Sequence, residues 1–163
     1  MTSEHALRAI ERYLKAPRRL RWCVPGLGMA ALWWSSSQVP GGDLPAFGGA
    51  LVHNAMHVVA YGLVAGSAWL AWSRAPAGAR QRLRSTGAWA LGALYGVVDE
   101  LHQAYVPGRD CSMFDVLSDF AGAALAVALL RGVVGVSKRW RLEASVAACL
   151  GVVGVVSATF LGG

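Results

Sequence analysis

Five apolar stretches, each near the length a helix needs to cross a bilayer, leave this chain little choice of architecture. Spanning about 30 Å of hydrocarbon takes roughly 20 mainly apolar residues in a helix. The clearest stretch, Leu51–Trp72, is strongly polar only at His53, Asn54 and His57. The others cover residues 20–37, 87–105, 113–130 and 144–163. The first is the shortest, since its uncharged part begins at Trp22 and carries Pro25 near its start. With 163 residues, 55% hydrophobic and 15% charged, the chain lies well below the roughly 25% charge of soluble domains. The expectation is an all-α integral membrane protein, a bundle of about five transmembrane helices. Residues 1–19 form a preceding segment in which Leu7, Ile10 and Leu14 share one face and Arg8, Arg12 and Lys15 lie elsewhere. That pattern predicts a short basic amphipathic helix over 4–15, lying on a membrane surface or solvated as a tail. Residues 20–163 are then a single transmembrane domain.

The net charge of +6 could suggest a nucleic-acid partner, but its placement argues otherwise. Six basic residues precede the uncharged part of the first apolar stretch, and four (Arg74, Arg80, Arg82, Arg84) lie between the second and third. Four more (Arg131, Lys138, Arg139, Arg141) separate the fourth from the fifth, and only Arg109 falls in an alternate loop. Lys and Arg mark the cytoplasmic side. The distribution therefore predicts a cytoplasmic N-terminus, five crossings and an outer C-terminus in a plasma membrane. The charge is accounted for by orientation, with the lipid bilayer as partner and no nucleic acid. The polar, basic first 21 residues are not expected to form a cleaved leader. Cys23, Cys111 and Cys149 are isolated and lack metal-type spacing, so neither a disulfide nor a zinc site is expected from them.

Residues 95–119 carry the chemistry. Asp99, Glu100, His102, Arg109, Asp115 and Asp119 crowd into an otherwise apolar half of the chain. Four unpaired carboxylates at membrane depth would cost about 10 kcal/mol on insertion scales. They must be paired, hydrated or protonated in a polar cavity. His53, His57 and Tyr61 recur at i, i+4 and i+8 and stack on one helical face. In the predicted topology they start the second span while Asp99–Gln103 end the third, so all these groups meet at the outer end. Asp99, His102 and Gln103 share a face with Tyr95. Glu100 points about 100° away, with Gly92 and Gly96, whose small-xxx-small spacing predicts a tight helix contact. One carboxylate could then brace packing while the other faces the cavity, and spacing does not say which.

Each residue also has a plainer role. Val106-Pro107-Gly108-Arg109 reads as a turn. Arg109 either holds an anionic ligand with its planar fork or merely neutralises a neighbouring acid. Ser112-Met113-Phe114-Asp115 matches a capping box, which would explain Asp115 without function but leaves Asp119, one turn deeper, unexplained. Ser35–Gln38 is either part of the cavity or a polar helix end. His57, Asp99, Glu100 and Asp119 are the candidate acid–base groups. Tyr61, His102, Gln103, Arg109 and Asp115 are candidate ligand contacts. The acids could hold a divalent cation through oxygen, although nothing in the spacing names a metal. No H-E-x-x-H, G-x-S-x-G or glycine-rich phosphate loop is present.

Three runs carry a resemblance: SSSQVPGG after the first span, HxxxY at His57–Tyr61, and YGVVDELHQAYVPGRDCSMFDVLSDFAGAALA over 95–126. Across roughly 27–130 the chain resembles the VanZ-like family of small bacterial membrane proteins. His57, Tyr61, Asp99, Glu100, Gln103, Arg109 and Asp115 match the family's polar positions. Two positions depart from it. His53-Asn54 stands where a DK-type pair is frequent, and Asp119 where Asn is common. The resemblance implies a link to reduced susceptibility to teicoplanin and related glycopeptide antibiotics at the cell envelope, with no settled reaction. The expected ligand is an anionic or amphiphilic envelope component, such as a lipid-linked cell-wall precursor or a lipoglycopeptide. The alternative is a non-enzymatic structural or partner-binding protein that alters antibiotic access.

Overall fold

The computed structural model describes residues 3–39, 46–72, 80–135 and 137–161. Residues 40–42 of the SSSQVPGG run, Arg74 and the last two residues of the fifth apolar stretch lie outside them. The described residues form six helices: α1 (Ser3–Lys15), α2 (Arg18–Ser36), α3 (Ala46–Trp72), α4 (Arg80–Gln103), α5 (Met113–Val133) and α6 (Trp140–Leu161). Three of these are long and apolar enough to cross a membrane: the Gly49–Trp72 part of α3, α5 and α6. α2 and α4 correspond to the first and third expected spans. Their helices start further upstream and take in Arg18, Arg19 and Arg21, or Arg82 and Arg84. Those residues, with Asp99 and Glu100 in α4, dilute the apolar character that a long uninterrupted span shows.

α3 is the hub and touches all five other helices. Its buried face is built from small residues: Ala65, Ala68 and Ala71 surround Tyr61, Val64 and Trp69, and Ala88, Ala93, Ala121 and Ala123 face them from α4 and α5. Small side chains let backbones approach, which is how helices gain contact when lipid removes the usual hydrophobic drive. The closest approach is at Gly122 of α5, where an added Cβ would stand 2.1 Å from the Val58 carbonyl oxygen. Large apolar side chains point outward instead: Leu27 is 70% exposed, Leu63 69%, Leu94 64% and Val152 63%. A surface of this kind suits lipid rather than water. α2 and α4 share it despite their charged ends.

The junction of α1 and α2 shows how one local defect fixes a tertiary contact. Pro17 breaks the chain between them, since proline disfavours helical geometry in the residue before it. Pro25, inside α2, has no N–H to offer the carbonyl of Arg21 four residues earlier. The Tyr13 hydroxyl of α1 donates to that Arg21 oxygen at 2.8 Å. The amphipathic helix thus docks where α2 lacks a hydrogen bond.

Candidate functional site

The expected polar residues converge at one end of the bundle, where the C-terminal ends of α2 and α4 meet the N-terminal portions of α3 and α5. Helix direction makes this possible. His57 lies in the first half of α3, Asp99 near the end of α4 and Asp119 in the second turn of α5. The His53–His57–Tyr61 stack forms as expected, with ring centroids 5.3 and 6.0 Å apart.

The two adjacent acids of α4 take different partners. Asp99 turns toward α2 and α3. Its Oδ1 accepts from Ser36 Oγ at 2.6 Å, and its Oδ2 accepts from the Tyr61 hydroxyl at 2.8 Å and from Gln103 Nε2 at 3.2 Å. Glu100 turns toward α5. Its Oε2 accepts from the backbone N–H of Ser112 at 2.9 Å, and its Oε1 accepts from Gln103 Nε2 at 3.2 Å. Gly92 and Gly96 lie on that side, and Gly96 faces the Asp119 side chain so closely that a Cβ would fall 2.6 Å from Oδ2. Asp119 Oδ1 and His57 Nδ1 share a hydrogen bond of 2.9 Å, with Glu100 Oε1 4.0 Å from the same nitrogen. Asp119 is 0% exposed, Glu100 1% and Asp99 3%. His57, Glu100 and Asp119 each offer a donor atom within 4.8 Å of the others, so these three residues could hold a metal ion.

Asp115 is half of a capping box. Ser112 Oγ accepts from the Asp115 N–H at 3.2 Å, but the return bond to the Ser112 N–H, which the third-position acid normally makes, is taken by Glu100 from α4. Asp115 Oδ1 is left buried without a partner. The sequence pattern identified the cap and missed that a second helix completes it.

Among the described residues Arg109 pairs with no acid. Val106–Arg109 closes as the expected turn, with the Arg109 N–H donating to the Val106 oxygen at 3.1 Å and Gly108 at φ 78. That positive φ at the third position is what makes glycine suitable there. The guanidinium then reaches α2. Nε donates to the Gln38 carbonyl at 3.0 Å, Nη2 to the Ser35 carbonyl at 3.1 Å and Nη1 to Gln103 Oε1 at 3.4 Å. Arg109 thereby ties the α4–α5 loop to the open C-terminus of α2, whose last carbonyls have no helical partners. Among the described residues three of its five N–H groups are engaged and two are not.

His102 is not gathered into the acid cluster. It stacks on Trp33 with centroids 3.9 Å apart and bonds Ser37 Oγ at 2.9 Å. Ser36, by contrast, is a buried partner of Asp99; a serine at a helix end carries no sequence signal that separates that role from ordinary polarity.

A cavity of about 170 Å³ opens beside this network, lined by Leu32, Ser35, Ser36, His53, Met56, His57, Ala60, Asp99, Gln103 and Arg109. Its lining mixes these polar residues with the apolar Leu32, Met56 and Ala60. A family model described as VanZ/LLP1 matches residues 5–135, which include α1 through α5 almost entirely and every residue of the site. The chain belongs to the VanZ/LLP1 family. α6 lies beyond the matched stretch, yet packs extensively on α5. No curated protein and no solved structure matches the chain.

Proposed function

We propose that this VanZ-like membrane protein holds the polar head of an anionic or amphiphilic envelope component in the cavity beside Asp99 and Arg109. Lipid-linked cell-wall precursors and lipoglycopeptides have that chemistry. The carrying observation is the mixed lining of the cavity, where Arg109, His57, Ser35 and Gln103 share the wall with Leu32, Met56 and Ala60. A charged head on an apolar tail meets both kinds of surface there. The two uncommitted N–H groups of Arg109 would take the anion, and the His57–Asp119 pair would supply or accept a proton if a reaction follows. In this reading five helices cross a bacterial inner membrane. The N-terminus is cytoplasmic, the C-terminus is outside and the cavity lies at the outer end. The basic residues before α2, in α4 and between α5 and α6 support that orientation, and the outward leucines of α2 and α4 support their contact with lipid. By the family resemblance, occupancy of this cavity would underlie protection against teicoplanin-type antibiotics.

One observation favours the alternative, a structural polar core that acts through antibiotic access or a partner: Asp99 already accepts hydrogen bonds from three donors within the protein. Purified protein with a photoreactive lipid-linked precursor, alongside teicoplanin susceptibility of expressing cells, separates the two. The cavity reading expects cross-links within α2–α4 and loss of both cross-linking and protection in a stably inserted Arg109→Ala variant. Full protection without cross-linking leaves the structural reading.

A further inference from the structure

We propose that His57, Glu100 and Asp119 form a binding site for one divalent transition-metal ion, with zinc the ion that best suits the donors. The inference deepens the reading of the cavity by naming a second cation for its ligand; metal binding itself stands without that reading.

Geometry is the first ground. The donors come from α3, α4 and α5, and His57 Nδ1 lies 2.9 Å from Asp119 Oδ1 and 4.0 Å from Glu100 Oε1. Ligands at 2.0–2.2 Å from a tetrahedral ion stand about 3.3–3.6 Å apart. The observed separations bracket that range, so small side-chain rotations would seat the ion.

Partner accounting is the second. Asp99 accepts three hydrogen bonds and Glu100 two, whereas Asp119 shares one through Oδ1 and its Oδ2 has no partner. The residue is fully buried. A buried carboxylate oxygen with nothing to accept from is a costly vacancy. A metal ligated by Asp119 would set a positive charge beside that carboxylate, which no donor to Oδ2 among the described residues now does.

Charge is the third. Among the described residues, the ion pairs of these acids involve His57 and no Lys or Arg, and the nearby guanidinium of Arg109 is turned to carbonyls. Two carboxylates sharing one imidazole lack positive charge. A divalent ion would supply it.

The donor set then narrows the ion. Calcium takes six to eight oxygens and magnesium prefers an octahedral oxygen shell. One imidazole with two carboxylates instead resembles three-ligand zinc sites that keep a position open. His57 belongs both to the cluster and to the cavity wall, so the open position is reached from the cavity. An anionic head would meet the metal there as well as the free N–H groups of Arg109.

The test uses the untagged full-length chain in detergent, stripped with a chelator and dialysed without lipid. Titration with zinc against a chromophoric chelator should give one equivalent per chain, unaffected by excess magnesium. Asp119→Asn and His57→Gln should each weaken binding at least about tenfold. Substoichiometric zinc in the wild type, or equal affinity in all three proteins, overturns the site. The wild type alone gives an independent readout should a variant fail to fold. Zinc should raise the unfolding temperature of stripped protein, and X-ray absorption at the zinc edge should show nitrogen and oxygen ligands. An unchanged unfolding temperature, or sulfur ligation from a cysteine, also overturns it. Because no lipid is present, failure here leaves the amphiphile reading standing, and failure of zinc-loaded protein to bind precursor leaves the metal site standing.

Discussion

Asp119, in the second turn of α5, and Arg131, in its last turn, are separated by about 18 Å of helix and sit in opposite surroundings. Arg131 pairs with Glu143 at 3.0 Å, with side chains 25% and 35% exposed, and Ser137 Oγ adds a bond to the same carboxylate at 3.4 Å. Both side chains are partly exposed, so water can replace much of what a lost partner supplied, although Arg131 Nε is buried without a partner among the described residues. At the other end Asp119, Glu100 and Asp99 are buried, and their partners are hydroxyls, an amide, a backbone N–H and one imidazole. Burial leaves much less solvent there to replace those contacts. The lesson is that an ionic group's importance follows from what replaces its partner when that partner is removed. By that measure the buried end depends on its particular partners and the Arg131–Glu143 pair is a surface tie.

The contrast can be broken in graded steps. Gly122→Val should have the largest effect, because even a Cβ there meets the Val58 oxygen at 2.1 Å. Prying α3 from α5 separates His57 from Asp119, and a cost above about 3 kcal/mol is expected. It would be read as loss of a monodisperse peak in detergent. Next is Glu100→Ala, which leaves the buried Ser112 N–H and the Gln103 amide short of an acceptor. Unfolding by denaturant in micelles should show a loss of about 2–4 kcal/mol. Glu100→Gln should recover much of it, since its side-chain oxygen can still accept from Ser112. Arg109→Ala removes three hydrogen bonds, two that pin the end of α2 and one to Gln103 of α4. It should cost about 1–3 kcal/mol, and Arg109→Lys should recover only part of that, since an ammonium cannot reproduce the planar fork. Arg131→Ala should cost at most about 1 kcal/mol, shrink further in high salt, and leave antibiotic protection unchanged. A loss as large as that of Glu100→Ala would erase the distinction between the two ends.

The smallest effect concerns Cys111, in the loop between α4 and α5. Its thiol pKa is raised, first by partial desolvation and then by the negative charge of Glu100 and Asp115. The thiolate is the reactive form, so a raised pKa slows maleimide labelling near neutral pH. Removing the Glu100 charge in Glu100→Gln should lower that pKa and speed labelling at pH 8 by about twofold. The same reagent, applied to intact cells, reports the side on which this end lies. Labelling only after permeabilisation would reverse the orientation that the basic residues predict.

Much of this protein was readable before any coordinates. Helical identity followed from runs of apolar residues that only a helix can carry through lipid with its backbone satisfied. The meeting of His57, Asp99 and Asp119 at one end followed from alternating helix direction, because groups early in one antiparallel helix and late in the next share a level. The HxxxHxxxY stack and the Val106–Arg109 turn followed from local geometry. Partner choice did not. Asp99 and Glu100 are adjacent, about 100° apart around α4, and which of them met α2 or α5 depended on where those helices packed. Arg109 paired with carbonyls rather than acids because its loop lies against the end of α2. The Ser112 cap was completed from another helix for the same reason. Short-range patterns are set by backbone periodicity, which the chain carries everywhere. Hydrogen-bond partners across helices are set by distances that exist only once Gly92, Gly96 and Gly122 have let the backbones close.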